Sequence, residues 1–392
     1  MTKVSEILEG IAFKKLVPVD LLEKRSHQHE INGSNALRRL FNGKDITGQI
    51  FWHYISEAEN LEDTGNYRFY DARKRSAEKT GRSEWRLYYS GVFLRKASPG
   101  DYLLIIKTKK DQVHGVIIAQ GSQLANAVVK VFSIREFHSA CELVDDKSFT
   151  EEITFLNSRV LAECGIEIPE NPSDFKIVTG AFGLEFPSTA KMSKLARDNA
   201  AFDPSDLDGT LMAWLLREEQ FFYALENQII DNKLTLGFKS ADDFIRFSLS
   251  VQNRRKSRMG HSLENHVEEL FKINKVKYEK NVRTERGNKP DFIFPGANKY
   301  SMAAIGSPDI KMLAAKSTVK ERWRQILEEA DKIPVKNLCT IDPGISEKQL
   351  AQMIEKKVEL VIPLQIQSAY SASWKKQMRS FGEFVDIVKR LS

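Results

Sequence analysis

The 392 residues are 42% hydrophobic and 29% charged, the balance of a folded globular chain rather than a disordered or collagen-like one. No apolar run approaches the roughly 20 residues a membrane-crossing helix needs, and the stretch MTKVSEILEGIAFKKL lacks the order of a secretion signal, so a cytoplasmic location is expected. Cys141, Cys164 and Cys339 offer neither a disulfide framework nor a zinc spacing, and a net charge of +6 permits a polyanionic partner without requiring one.

The length suggests two domains. Through about residue 160 the pattern is mainly β. WRLYYSGVFL, DYLLIIKT and HGVIIAQ are short, rich in aromatic and β-branched residues, and separated by SPG and KKDQ turns. A short helix is expected around Asn35–Phe41. The proline- and glycine-bearing stretch 170–187 reads as a connector. Helix-period apolar positions then run over 208–231 and 240–252, and Ser262 before LENHVEELF reads as the N-cap of a further helix. Extended pieces follow (DFIF, IKMLAAK, NLCTI and VELVIP) with the helical pattern KERWRQILEEADKI between them, an alternation that predicts an α/β core. Two runs concentrate positive charge. NRRKSR holds Arg254, Arg255, Lys256 and Arg258, and the segment from Asp71 to Arg86 carries six cations against three acids; either run suits a DNA surface or a solvated face.

Phosphodiester hydrolysis is commonly carried by two or three carboxylates that hold Mg²⁺ and a lysine near the attacking water. The carboxylates work best where a sheet fixes them. Asp291 opens DFIF after Pro290, Lys316 ends MLAA, and Glu329 follows thirteen residues later. Glu264, on the preceding helix, is a further candidate. The common PD…(D/E)xK nuclease pattern would place an acid two before the lysine, where Ala314 stands. A second Pro-Asp pair, Pro308-Asp309, lies only seven residues before Lys316, too close to form a separate neighbouring strand.

NRRKSRMGHSLE, GNKPDFIFP, MLAAKSTVKERWRQILEEADKI and, more loosely, VELVIP together resemble the catalytic domain of EcoRII-type restriction endonucleases over residues 205–365. In that family the displaced acid lies on the helix after the lysine, where Glu329 is expected here. The resemblance implies a restriction-endonuclease-like PD-(D/E)xK α/β domain, with Asp291, Lys316, Glu329 and Tyr300 in catalysis and Asp291, Glu329 and Glu264 on Mg²⁺. Lys320, Glu321 and Arg322 match a base-reading triplet for CC-x-GG (CCWGG-like) sites; Arg or Lys suits guanine and Glu suits cytosine. Arg254, Arg255, Lys256 and Arg258 would meet phosphates. Arg217 and Trp214 fall where the family lines a pocket for a flipped base.

Residues 25–95 resemble the same family's N-terminal effector domain, a mainly β pseudobarrel of the plant B-three type. HQHEINGSNALRRLF and KTGRSEWR match its two DNA-gripping arms, which nominates His27, Lys79, Arg82, Glu84 and Arg86, with Arg73 beside them, while Trp85 departs from a basic residue. The expected organisation is an effector domain over 1–168, a linker and connecting helix over 169–204 and the endonuclease over 205–392. What the resemblance implies is a type IIE restriction enzyme that is a homodimer through its catalytic domains, binds target and effector duplexes, and is autoinhibited by its N-terminal domain. A DNA-binding regulator on a nuclease-like fold, or the same nuclease with another target, are the alternatives.

Overall fold

A computed structural model of the chain describes residues 3–21, 30–56, 59–74, 82–91, 96–144, 153–169 and 171–391; the side chains of Gln123, Lys256, Lys320, Glu321 and Arg322 lie outside the described set. His27 and Lys79 also lie outside it. The chain divides into two units, Met1–Pro169 and Glu170–Ser392.

The first unit is built on period-two patterning. Its strands are β1 (Leu8–Lys15), β2 (Glu30–Asn32), β3 (Ile46–Ile55), β4 (Asn60–Asp71), β5 (Trp85–Tyr89), β6 (Tyr102–Thr108), β7 (Val113–Ile118) and β8 (Glu142–Leu143). They form one sheet in the order β2-β5-β4-β3-β7-β6-β1-β8, antiparallel except for β3 beside β7. On β4, Gly65, Tyr67 and Phe69 are buried while Asn66 and Arg68 between them are exposed, as alternation across a pleat dictates. The buried face packs around Trp52, Phe69, Leu87 and Tyr89, and helix α1 (Asn35–Leu40) seats Leu37 and Leu40 in the same core.

The second unit alternates strand and helix. Its strands β9 (Glu279–Lys280), β10 (Phe292–Phe294), β11 (Lys311–Lys316), β12 (Lys336–Thr340), β13 (Val358–Val361) and β14 (Met378–Arg379) lie in sequence order across one mixed sheet. The β9-β10-β11 half is antiparallel and the β11-β12-β13-β14 half parallel. Met312, Leu313, Ala314 and Ala315 of β11 are all buried, the continuous apolar run of a strand covered on both faces. Two long helices, α2 (Leu207–Leu236) and α3 (Ala241–Ile273), precede the sheet. Phe271 near the end of α3 packs against Phe292, Phe294 and Phe381 at ring separations of 5.3, 5.1 and 5.8 Å. This clamps α3 onto β10, the strand that follows Asp291.

Three local expectations change. Residues 172–182, within the stretch read as a connector, form a helix in addition to one at 189–198, where a connecting helix was expected, and Val178, Met192 and Ala196 pack against Phe221 and Leu225 of α2. Their prolines and glycine are helix punctuation: Asn171 caps, Pro172 takes the first turn and Gly183 ends the helix at φ +65. Ser262 is not an N-cap; it is buried in mid-helix. The cap is Ser240, whose side chain accepts from the Asp243 N–H, with Asp242 and Asp243 in the first turn. Finally, KERWRQILE is a 3-10 segment over Lys320–Glu328 rather than an α-helix.

Candidate active site

β10 and β11 pair antiparallel, with Phe292 opposite Leu313. The ladder ends there, and the next residue back, Asp291, continues it with its side chain. Its Oδ2 accepts the Ala315 N–H at 2.8 Å and the Lys316 Nζ at 3.0 Å. One aspartate therefore both closes the strand pair and meets the lysine that ends β11. The pair is partly open to solvent, with side-chain exposures of 14% for Asp291 and 28% for Lys316. Ala314, on the same face of β11 as Lys316, is fully buried, so an acid of the usual spacing would have to be accommodated inside the core.

The third acid arrives from the crossover between β11 and β12. Glu329 is the residue at which the 3-10 segment stops: its N–H is donated to the Ile326 carbonyl, its own backbone is extended (φ −85, ψ 141), and Ala330 after it is left-handed at φ +50. It was expected on a helix; it stands instead on a turn, because that left-handed residue interrupts the coil. Its Oε2 is buried and accepts no hydrogen bond among the described residues. Burial first, and the Asp291 charge second, push its carboxyl up to about 7, against the pull of Lys316 and Lys336. Glu264 on α3 is raised by the same two causes in the same order, with Lys280 and Lys316 opposing. Asp291 thus bears electrostatically on both glutamates, and Lys316 on both as well, so the four side chains nominated from the sequence share one locality.

A buried carboxylate oxygen without a donor, beside a second carboxylate that repels it, suits a divalent cation. Among the described residues no three His, Cys, Asp or Glu side chains enclose a metal ion unaided. A hard divalent ion held by one or two carboxylates completes its shell with water and substrate phosphate oxygens.

Tyr300 does not reach this cluster directly. It is buried, and its hydroxyl donates to Glu285 Oε2 at 2.5 Å. Burial and that bond raise the phenol well above its ordinary range. Glu285 Oε2 also accepts the Asp331 N–H at 3.1 Å, so Tyr300 supports the turn behind Glu329. Burial disfavours the charge on Glu285, but the bonds from Tyr300 and the backbone outweigh it and hold its carboxyl below the usual range. Two further groups near the site carry little sequence signal. Asp342 Oδ2 accepts the Val319 N–H at 2.9 Å and so tethers the residue before Lys320; its Asp-Pro-Gly context reads only as a turn. Lys336 begins β12 at 5% exposure, and burial pulls its amine below the usual lysine range, opposed by Asp331, Glu329 and Glu285.

Other nominated residues are placed differently from expectation. Arg258 is buried over the rings of Phe222 and Tyr223 and pairs with Glu219 at 3.4 Å. Arg255 pairs with the buried Glu226 at 2.6 Å, and Arg254 lies over Phe186 at 4.2 Å. Arg254 and Arg258 thus pack toward α2 and its neighbours, whereas the Arg255 side chain, though paired, is 49% exposed, and that of Lys256 lies outside the described residues. Arg217 bonds Asp174 at 2.9 Å and covers Phe221 at 4.0 Å, while Trp214 is 2% exposed between Phe202 and His266. Both take part in helix packing.

In the first unit, β5 presents Arg86 and Tyr88 on one side, with Glu84 just before it, and Trp85, Leu87 and Tyr89 on the other. Trp85 stacks on Phe69 at 4.9 Å, so the departure from a basic residue falls on the core-facing side. Arg86 bonds Glu84 at 2.6 Å and Glu30, Glu84 bonds Arg73 at 2.5 Å, and the Tyr70 hydroxyl donates to Glu30 at 2.8 Å. Glu84 first and Glu30 next hold the Arg86 guanidinium further above its ordinary range. Arg82 is exposed.

The comparisons agree with this second unit. Residues 222–385 match the family described as EcoRII C terminal. The type II restriction enzyme EcoRII of Escherichia coli is 35% identical over 223 residues, 56% of this chain and 55% of that one. The type II restriction enzyme SsoII of Shigella sonnei is 26% identical over 131 residues, 30% of this chain and 41% of that one. The chain thus spans about half the length of the curated relatives it matches. Among solved structures, metal-depleted Ecl18kI in complex with uncleaved DNA is 18% identical at a TM-score of 0.44, over 56% of this chain and 84% of that one. The second unit is thus similar in sequence to the EcoRII C-terminal family, as its motifs suggest, and it follows a mainly β unit. No described helix is long and apolar enough to cross a membrane.

Proposed function

We propose that residues 205–392 are the catalytic domain of a Mg²⁺-dependent type IIE restriction endonuclease that cuts both strands of duplex DNA at a CCWGG-like, CC-x-GG site. Residues 1–168, a B-three-type pseudobarrel in this reading, bind a second copy of the site as effector and restrain cleavage until they do so. The observation that carries the reading is the Asp291–Lys316 pair at 3.0 Å across adjoining strand ends, with Glu329 and Glu264 within reach of its charge.

Asp291 and Glu329, with Glu264 assisting, would hold Mg²⁺. Bound there, the ion acidifies a water and offsets charge on the scissile phosphate. Lys316, kept beside Asp291, donates to the phosphate oxygen that gains charge, or orients the attacking water. Fixing these groups to the ends of two paired strands removes reorganisation from the step itself. Lys320, Glu321 and Arg322 follow the tethered Val319 in the chain and would read the G·C pairs. Tyr300 acts at one remove, through Glu285 and the Asp331 amide. A two-fold site cut in both strands needs two such centres, hence a homodimer. Leu234, Leu236, Phe244, Ile245 and Leu249, exposed by 50–77% at the α2–α3 hairpin, supply apolar surface for pairing.

The test is incubation of the full chain with Mg²⁺ and plasmids bearing one or several CCWGG sites, with sedimentation in the same buffer. Discrete fragments ending at those sites are expected from a particle of two chains. A short duplex carrying the site should speed cutting of the one-site plasmid about tenfold, a coupling of ordinary allosteric size. Intact plasmid at every metal concentration would refute the reading. For the effector unit, Arg86→Ala is expected to weaken binding of a site-bearing duplex by about 10–100-fold, the cost of one lost base contact. A change below twofold in gel-shift titrations removes Arg86 from the interface.

A further inference from the structure

The turn that presents Glu329 has almost no regular structure to support it, yet its backbone polar groups are occupied. Asn288 Nδ2 donates to the Glu328 carbonyl at 2.7 Å. The Ala330 N–H is donated to Thr284 Oγ1 at 3.3 Å and the Asp331 N–H to Glu285 Oε2 at 3.1 Å. Lys336 Nζ donates to two successive carbonyls, those of Glu329 and, at 2.8 Å, Ala330. Side chains thus do here what a helix or a ladder does elsewhere, and they hold Ala330 at φ +50, a conformation that L residues rarely keep unaided.

Lys336 stands apart among these groups. The others come from the 284–288 loop, whereas Lys336 is the first residue of β12, its N–H bonded to the Lys357 carbonyl and β11 and β13 on either side. It is 5% exposed. An ammonium is costly to bury unless its protons are taken, and among the described residues no carboxylate lies within ion-pair distance of it. Its partners are the two carbonyls that define the direction of the chain through Glu329. A core position on a central strand would otherwise favour an apolar side chain.

We propose that Lys336 is a positioning residue for the active site: its buried ammonium clamps the Glu329 and Ala330 carbonyls to the sheet, and so fixes where the Glu329 carboxylate stands relative to Asp291 and Lys316. The proposal rests on the reading of Glu329 as a metal-holding group. Lys336 itself touches neither metal nor DNA. Groups that orient a metal ligand from behind matter to metal affinity nearly as much as the ligand does.

The test uses the full chain carrying Lys336→Met, which keeps the length of the side chain and removes its donors. Two readouts are taken. In hydrogen–deuterium exchange without metal, the peptide covering 326–335 is expected to exchange about tenfold faster, while peptides from β11 and β13 keep their protection. In cleavage assays, the Mg²⁺ concentration at half-maximal rate is expected to rise by about 10–100-fold, with metal-free affinity for duplex DNA within twofold. A purely space-filling lysine would move neither. Unchanged exchange over 326–335, or a half-saturation within twofold of wild type, overturns the clamp. Should the methionine variant fail to fold, Lys336→Gln keeps a polar side chain too short to reach both carbonyls. About threefold in both readouts supports the clamp, by analogy with other outer-shell groups, and no change refutes it. If the wild-type chain itself does not cut DNA, the nuclease reading falls, and the exchange measurement still decides whether Lys336 holds the turn.

Discussion

Asp291→Asn is expected to lower double-strand cleavage by on the order of 10³-fold or more while duplex binding stays within a few-fold of wild type. Asparagine is the informative replacement because Asp291 has two duties. Its Oδ2 accepts the Ala315 N–H where the β10–β11 ladder ends, and an alanine there would orphan a buried donor at about 1–3 kcal/mol. Asparagine keeps an acceptor of the same shape and discards only the charge, so lost cutting would report lost metal holding and not a loosened strand. Lys316→Met should match it: β11 retains its apolar run, and only the ammonium beside the phosphate goes. The measurement is single-turnover cleavage of a CCWGG duplex, with binding followed in Ca²⁺. Wild-type rates in both variants would end the assignment of this pair as the catalytic centre.

How much of this was legible beforehand depended on how local each signal is. The DFIF and MLAAK strands announce themselves by unbroken apolar runs, and the polar residues at their ends are read directly as Asp291 and Lys316. Their pairing is not local, yet two short strands leave few registers. Glu329 was legible as a residue but not in its setting, because nothing in KERWRQILE separates a 3-10 segment from an α-helix: both present apolar side chains at i and i+3. The arginines of NRRKSR have partners that the sequence does not show. A charge cluster in a sequence looks like surface, but the glutamates that neutralise it, Glu219 and Glu226, lie more than twenty-five residues earlier on α2. Composition alone does not show that two long helices will lie side by side. Prolines and glycines near 172–187 misled for a related reason, since the same residues that mark a connector also start and stop helices. Lys336 had no signal at all: its role exists only once the turn it holds has formed.

The second large effect lies in the Glu329 carboxyl itself, pushed up to about 7 by burial and by Asp291. Its ordinary value is near 4.5, so between those two values the folded chain binds a proton that the unfolded chain has released. Stability is therefore fully present below about pH 4.5, falls as pH rises through about 7, and stays reduced above it. The full shift corresponds to roughly 3 kcal/mol; with partial solvent access the realised cost is about 1–2 kcal/mol. Two consequences follow together. Glu329→Gln, which cannot ionise, should unfold at a temperature about 2–4 °C higher than wild type at pH 8, with no difference at pH 5, while losing cleavage almost entirely. Mg²⁺ should recover the missing stability at pH 8 in the wild type but not in the glutamine variant, because only a charged Glu329 offers the ion a site and bound ligand stabilises the state that binds it. Cleavage in limiting Mg²⁺ should accordingly weaken below about pH 7 and be rescued by excess metal, since proton and metal compete for the same oxygens. Thermal scans at both pH values, with and without Mg²⁺, read all of this in one series. A glutamine variant less stable than wild type at pH 8 would show that Glu329 serves the fold through its charge, and not the bound ion.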